Sequence, residues 1–191
     1  ALVQTNVKRR LAYSTIGQVG YLLIGVVAHS HVGLEALLVY VVAYLFMNLG
    51  AFACVVAVCA SSGTESLEAF RGLSRRSPLL ALWCALFLLS LAGLPPLLGF
   101  VGKFLLFGSA IAAGQTLVAV AAAVNSAIAL WYYVNIIRLM YLADSGADHP
   151  VATPLPLRLA VGVCGIATLW LGLFPGGLLA WLSGSVDTFL L

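Results

Sequence analysis

Lys103 is the residue of this chain best placed to do chemistry. It closes the run Ser90-Leu-Ala-Gly-Leu-Pro-Pro-Leu-Leu-Gly-Phe-Val-Gly-Lys, in which an apolar segment meets a Pro95-Pro96 pair and a second apolar segment follows. Two consecutive prolines remove two backbone donors and forbid a continuous helix through that point. Gly93, Gly99 and Gly102 leave the backbone around the break free to bend and let neighbouring helices come close. A lysine here is out of place, because an ammonium group at membrane depth costs roughly 3 kcal/mol on insertion scales. Held in such a site, an amine can exchange its proton, or serve as a positive charge that admits or repels protons nearby. The alternative is a lysine that snorkels to a headgroup from a helix end. No nucleophile–base pair, phosphate loop or dinucleotide fingerprint accompanies it. The Gly-Phe-Val-Gly-Lys-Phe stretch also lacks Walker spacing and the Ser/Thr after lysine.

The elements that must position Lys103 are membrane helices. Hydrophobic residues make up 63% of the 191 positions, charged residues only 8%, and the mean hydropathy is +1.11. Several runs are long enough to span about 30 Å of hydrocarbon, and they are continuous rather than alternating, which excludes a β-barrel. The expected fold is an all-α polytopic membrane protein, one transmembrane domain over residues 1–191. It has about six transmembrane segments, one of them interrupted at the prolines. The net charge of +3 is small and scattered and gives no support for nucleic-acid binding. Cys54, Cys59, Cys84 and Cys164 lie inside apolar runs without metal-ligand spacing, and read as buried thiols packing as small hydrophobes. The opening residues, Ala1-Leu-Val-Gln-Thr, carry no methionine and no signal-peptide pattern and read as the interior of a longer chain.

Taken in order, Lys8, Arg9 and Arg10 precede the first span at 11–28 and read as headgroup anchors. That span carries Gly17, Gly20 and Gly25 with Ser14, Thr15, Gln18 and Tyr21, a composition suited to helix–helix contact. His29 and His31 fall in the turn after it. The second span, about 35–60, opens at Glu35. It carries Tyr40, Tyr44 and Asn48 at four-residue spacing, a polar stripe that must face protein or water. Residues 61–77 are a polar loop in which Glu68 and Arg71 are spaced for a short amphipathic surface helix. Pro78 opens the third span, to about Leu94. The segment at 98–112 is too short to cross alone and reads, together with the residues after Gly114, as an interrupted spanning region. A span at 116–142 holds Asn125, Ser126, Tyr132, Tyr133, Asn135 and Arg138. A polar loop at 143–156 contains Asp144, Asp148 and His149, and the last span covers about 157–182, kinked or ended by Pro175. The basic clusters at 8–10 and 71–76 are expected on one side of the membrane, cytoplasmic by the positive-inside rule.

Three stretches match a known family in matching order. They are Gln4-Thr-Asn-Val-Lys-Arg-Arg-Leu-Ala-Tyr-Ser-Thr-Ile, Met47-Asn-Leu-Gly-Ala-Phe, and Leu89-Ser-Leu-Ala-Gly-Leu-Pro-Pro-Leu-Leu-Gly-Phe-Val-Gly-Lys-Phe. On these residues the chain resembles the C-terminal part of the antiporter-like membrane subunits of respiratory complex I, the proton-pumping NADH:quinone oxidoreductase. The N-type fits best, since the related M-type carries glutamate at the position of Lys103. The resemblance implies two inverted five-helix repeats, each with one broken helix, of which this chain would supply the second and a final helix. Lys103 would be the proton-channel lysine. The family's first half-channel glutamate and lysines have no counterpart here. Gln18 stands where many relatives have histidine in a Ser-x-x-His-x-Gly motif.

The implied function is proton translocation through a half-channel centred on Lys103, driven by quinone reduction elsewhere. Tyr44, Asn48, Ser126 and Tyr133 are candidate lining residues, and Pro95, Pro96, Gly99 and Gly102 make the helix break. The chain itself is expected to hold no cofactor or metal, with NADH, FMN, iron–sulfur clusters and quinone in partner subunits. Its partners would be other membrane subunits of complex I and the lipid bilayer. A bacterial plasma membrane is the expected location, ahead of an organellar inner membrane. Two other readings stand beside this one: a subunit of a multisubunit Na+/H+ antiporter or membrane-bound hydrogenase-type complex, and a purely structural scaffold that would tolerate an apolar residue at 103.

Overall fold

Two polar side chains start the first two helices. The Asn6 carboxamide oxygen accepts the Arg9 N–H at 3.0 Å, and α1 runs Val7–Val27. The Ser30 hydroxyl accepts the Gly33 N–H at 3.0 Å, and α2 runs His31–Ser62. Each satisfies an N–H that has no partner inside its own helix. The Ser30 cap starts α2 four residues before Glu35, and His31 belongs to its first turn rather than to the connection. The computed structural model describes residues 1–144 and 149–190; Asp148 of the second polar loop lies outside them.

A short 3-10 turn, Leu67–Phe70, and the four-residue α3, Leu73–Arg76, fill the first polar stretch. The short helix expected at Glu68 and Arg71 forms as the 3-10 turn, with the two side chains paired at 2.8 Å, and Gly72 at φ 60° separates it from α3. Then come α4 (Pro78–Ala92), α5 (Leu98–Ala112), α6 (Thr116–Leu142), α7 (Leu155–Leu173) and α8 (Gly176–Leu190). No strand occurs among the described residues. By length and composition α2, α6 and α7 can each cross a membrane, while α4, α5 and the start of α8 are apolar but shorter. The expected last span is two helices. Pro175 lacks an N–H and excludes the helical conformation from the residue before it, and Phe174 sits at φ −126°, ψ 65°. The interrupted unit is α4 with α5 across residues 93–97. α6 crosses separately, after a turn at Gly114 with φ 76°.

The long α2 is the centre, packed on α1, α4, α5, α7 and α8. Its Tyr40, Ala43, Met47, Ala51, Cys54 and Val58 recur every three or four residues and are fully buried, so one face is closed along its length. All four cysteines are buried.

Charge collects at one end of the bundle. Asn6 bridges to Ser66, Lys8 pairs with Glu65 at 2.6 Å, Arg75 pairs with Asp144 at 3.0 Å, and the Val151 N–H bonds the Ser77 hydroxyl at 2.9 Å. These ties bring the start of α1 and both polar loops together. Eight of the nine lysines and arginines lie at this end, as the sequence expects of the 8–10 and 71–76 clusters; the ninth is Lys103. The 15 residues of α4 start there and carry the chain about 22 Å inward before the break.

Candidate proton-exchange site at the helix break

A helix that stops inside a membrane leaves its last four carbonyls without partners, and each must find one. At the end of α4, Gly93 turns at φ 89° and gives its N–H to Leu89 and Ser90 oxygens at 3.1 and 2.9 Å. The Leu94 N–H adds a bond to Leu89 at 3.1 Å. The Leu91 and Ala92 carbonyls are taken by side chains from other helices. Lys103 Nζ lies 2.9 Å from the Leu91 oxygen and 3.2 Å from that of Ala92. Gln18 Nε2 donates to Leu91 at 3.1 Å, and the Ser126 hydroxyl donates to Ala92 at 2.9 Å. Every terminal carbonyl of α4 is thus satisfied.

Lys103 is 3% exposed and its third donor reaches Ser126 Oγ at 3.0 Å, so three ammonium protons meet three oxygens. Its Nζ also lies 4.4 Å from the centre of the Tyr21 ring. The amine turns inward to the break and does not reach along α5 to a headgroup. Among the described residues no carboxylate pairs with it; the ion pairs there are Lys8–Glu65, Arg71–Glu68 and Arg75–Asp144. Its counter-charge is the negative end of the α4 dipole together with an aromatic face.

The glycines that the sequence assigns to the break set this geometry. A Cβ on Gly99 would overlap the Ser90 carbonyl, and the Gly99 N–H donates to Ser90 Oγ at 3.1 Å. A Cβ on Gly102 would come within 2.6 Å of Tyr40 Cδ2, so α5 sits hard against α2. Pro95 and Pro96 lie in the connection itself, outside both helices.

Gln18 is the residue that the sequence undervalued. Its amide is 1% exposed and donates to the Tyr133 hydroxyl at 3.2 Å as well as to Leu91, while Tyr40 donates its hydroxyl proton to Gln18 Oε1. One side chain thereby ties α1, α2 and α6 to the carbonyl that Lys103 also holds. A buried amide on a membrane helix needs several partners, and that was the available signal. Of the expected lining residues, Ser126 touches Lys103 and Tyr133 is joined through Gln18. Tyr44 is half-buried and donates to Thr15 Oγ1 at 3.1 Å, an α1–α2 contact apart from the lysine. Asn48 makes no hydrogen bond to these groups among the described residues. Four-residue steps advance about 40° around a helix, so the stripe starting at the buried Tyr40 has turned away by Asn48. Asn125 donates to the Tyr21 hydroxyl at 3.0 Å and extends the polar set toward the surface of α6. Arg10, read as an anchor, is 4% exposed and folds back on the Gln4 carbonyl at 2.6 and 3.0 Å.

Residues 1–129 match the family described as NADH:quinone oxidoreductase/Mrp antiporter, TM. The chain is 44% identical over 200 residues to NADH-quinone oxidoreductase subunit N of Desulfovibrio desulfuricans, across 96% of this chain and 39% of that protein. It therefore spans well under half the length of the curated relatives it matches. In structure it is similar to a chain of respiratory complex I from Thermus thermophilus with bound aureothin, at 35% identity and a TM-score of 0.74, covering 94% of this chain and 40% of that one. It is also similar to a chain of the Mrp complex from Dietzia sp. DQ12-45-1b, at 26% identity and a TM-score of 0.86, covering 96% and 42%. Sequence and fold agree: this is a membrane protein of the bacterial plasma membrane, and it belongs to the NADH:quinone oxidoreductase/Mrp antiporter transmembrane family.

Proposed function

We propose that the chain forms part of a proton-translocating membrane-arm subunit of NADH:quinone oxidoreductase, in which Lys103 takes up and releases the proton. The observation that carries this reading is the seat of Lys103 on the two last carbonyls of a helix that ends inside the bundle. Charged, the amine fills the Leu91, Ala92 and Ser126 oxygens. Neutral, it keeps two N–H donors and a lone pair, so one of those oxygens loses the lysine's bond and Lys103 holds the end of α4 less firmly. Gln18 stays on Leu91 and Ser126 on Ala92 in either state, which keeps the site assembled while the proton moves. Proton exchange and the closure of the α4–α5 break are then one equilibrium. Ser126 is the nearest lining group, Tyr133 is reached through Gln18, and Tyr44 and Asn48 lie farther along α2. Oxidation of NADH and reduction of quinone belong to partner subunits holding flavin and iron–sulfur clusters, and neighbouring membrane subunits would transmit their effect to the break.

A second reading, a subunit of a cation/proton antiporter, draws on the higher TM-score to the Mrp complex chain, although identity favours the complex I chain. Sodium-dependent proton exchange without any link to NADH or quinone would decide for it.

Lys103→Arg tests the exchange step. Arginine keeps a positive charge and donors but does not release its proton at working pH. In assembled complex, verified on a native gel, NADH-driven proton uptake should fall at least ten-fold. Uptake at the wild-type level would mean that position 103 needs only a charge, and the exchange role would be lost.

A further inference from the structure

At the arginine-rich end, α4 and α7 start side by side and leave a groove of about 380 Å³ whose lining includes Ser77, Leu80, Trp83, Thr153, Arg158 and Gly162. One wall is the Trp83 ring, fixed because it lies directly on Gly165, where a Cβ would strike it. The opposite wall is open at Gly162, where a Cβ would meet nothing within 4 Å. Leu79 lines the groove and is 59% exposed, and Leu159 and Val163, next in the chain to the lining residues Arg158 and Gly162, are 59% and 62% exposed, so apolar helix surface lies beside it. At its polar end stands Arg158. This guanidinium gives one donor to the Thr153 carbonyl at 3.3 Å and takes part in none of the ion pairs among the described residues. Arg75, at the same end of the bundle, is already matched by Asp144.

We propose that this groove binds an anionic phospholipid of the cytoplasmic leaflet, with the phosphate on Arg158 and one acyl chain along Trp83 and Gly162. The guanidinium fork suits a phosphate, and the free donors on Arg158 are at headgroup depth beside a slot that runs into the hydrocarbon. A partner helix fits less well. One helical turn about 10 Å across fills about 420 Å³, more than the whole groove, and it would bury the Arg158 charge, which has no ion-pair partner among the described residues.

Trp83 reports occupancy directly. In the full-length protein, with every tryptophan except Trp83 (Trp131, Trp170 and Trp181 among them) replaced by phenylalanine, brominated phosphatidylglycerol or brominated phosphatidylcholine is titrated into phosphatidylcholine nanodiscs and Trp83 fluorescence is followed. One arginine near an anionic headgroup supports a preference of about five-fold, so half-quenching should come at roughly a fifth of the mole fraction for the glycerol lipid. Arg158→Lys should keep most of that preference, Arg158→Gln should abolish it, and Gly162→Leu should weaken quenching by both lipids. Millimolar inorganic phosphate should leave the quenching unchanged. Equal half-quenching by the two lipids overturns the proposal, as does an undiminished preference in Arg158→Gln. Displacement by free phosphate overturns it too, and so does an absence of quenching in the assembled complex, which would mean a protein neighbour covers the groove.

Discussion

With three oxygens around Lys103 and none of them from a carboxylate, its charge is stabilised by dipoles and the Tyr21 ring, and the side chains supplying the rest of the shell become as important as the lysine. Gln18 is the clearest case, because its amide serves Tyr40, Tyr133 and Leu91 together. Gln18→Leu leaves two buried hydroxyls without that partner while Leu91 keeps Lys103. An unsatisfied buried polar group costs about 1–3 kcal/mol. A loss of that size should appear as a lower midpoint of thermal unfolding in detergent, and an unchanged midpoint would mean that the amide is idle. The sequence signalled only that an amide on a membrane helix needs partners; which ones could not be read around Gln18, since its main partner is a backbone carbonyl 73 positions away and carbonyls carry no residue signature. Lys103 itself was legible, because a lone lysine after Pro-Pro in an apolar run carries a desolvation cost that an apolar residue would avoid. Tyr44 and Asn48 were overvalued for a geometric reason, the slow rotation of a four-residue repeat around α2.

At the scale of the element, the break depends on α4 and α5 touching where a side chain would keep them apart. Gly99→Ala puts a Cβ on the Ser90 carbonyl, and such overpacking costs about 1–3 kcal/mol. Gly108→Ala on the same helix meets nothing within 4 Å and should be neutral or stabilising by about 0.5–1 kcal/mol, the helix-propensity gain over glycine. Thermal unfolding of the pair separates a packing effect from a helix effect; equal behaviour would dismiss the close contact. Helix existence was plain from the continuous apolar runs, and Pro175 marked the site where the last span divides. The start of α2 was misplaced because a glutamate looked like the better N-terminal residue, whereas Ser30 holds the cap. In the 61–77 stretch the Glu68–Arg71 spacing marked a short helix, which forms as a 3-10 turn, while the separate α3 after the left-handed Gly72 was not legible.

For the whole molecule, the charged end is tied together by exposed contacts, of which Glu65 holds the most. Its carboxylate accepts from Lys8 and Asn6 and is held below the ordinary value of 4.5, first by the Lys8 hydrogen bond and then by that of Asn6. A depressed folded value means that the tie is fully present above the unfolded value and is lost as pH falls through the lower folded one. Hydrogen exchange at Val7 and Leu67, whose N–H groups bond Glu65 and Thr5 carbonyls at 2.9 Å, should therefore show extra opening only below about pH 4.5. In Glu65→Gln that acid dependence should vanish; its persistence would assign the tie to other groups. The charged end was foreseen from the 8–10 and 71–76 clusters, while the inward turn of Arg10 was not. The claim on which everything else rests is that Lys103 lies on the proton path. Lys103→Ala in the assembled complex, sealed in vesicles with NADH oxidation and proton uptake followed together, addresses it most directly. Normal assembly with a sharp fall in protons taken up per NADH oxidised is the predicted result; wild-type rates and ratio in that variant would reduce Lys103 to an anchor and the chain to a scaffold.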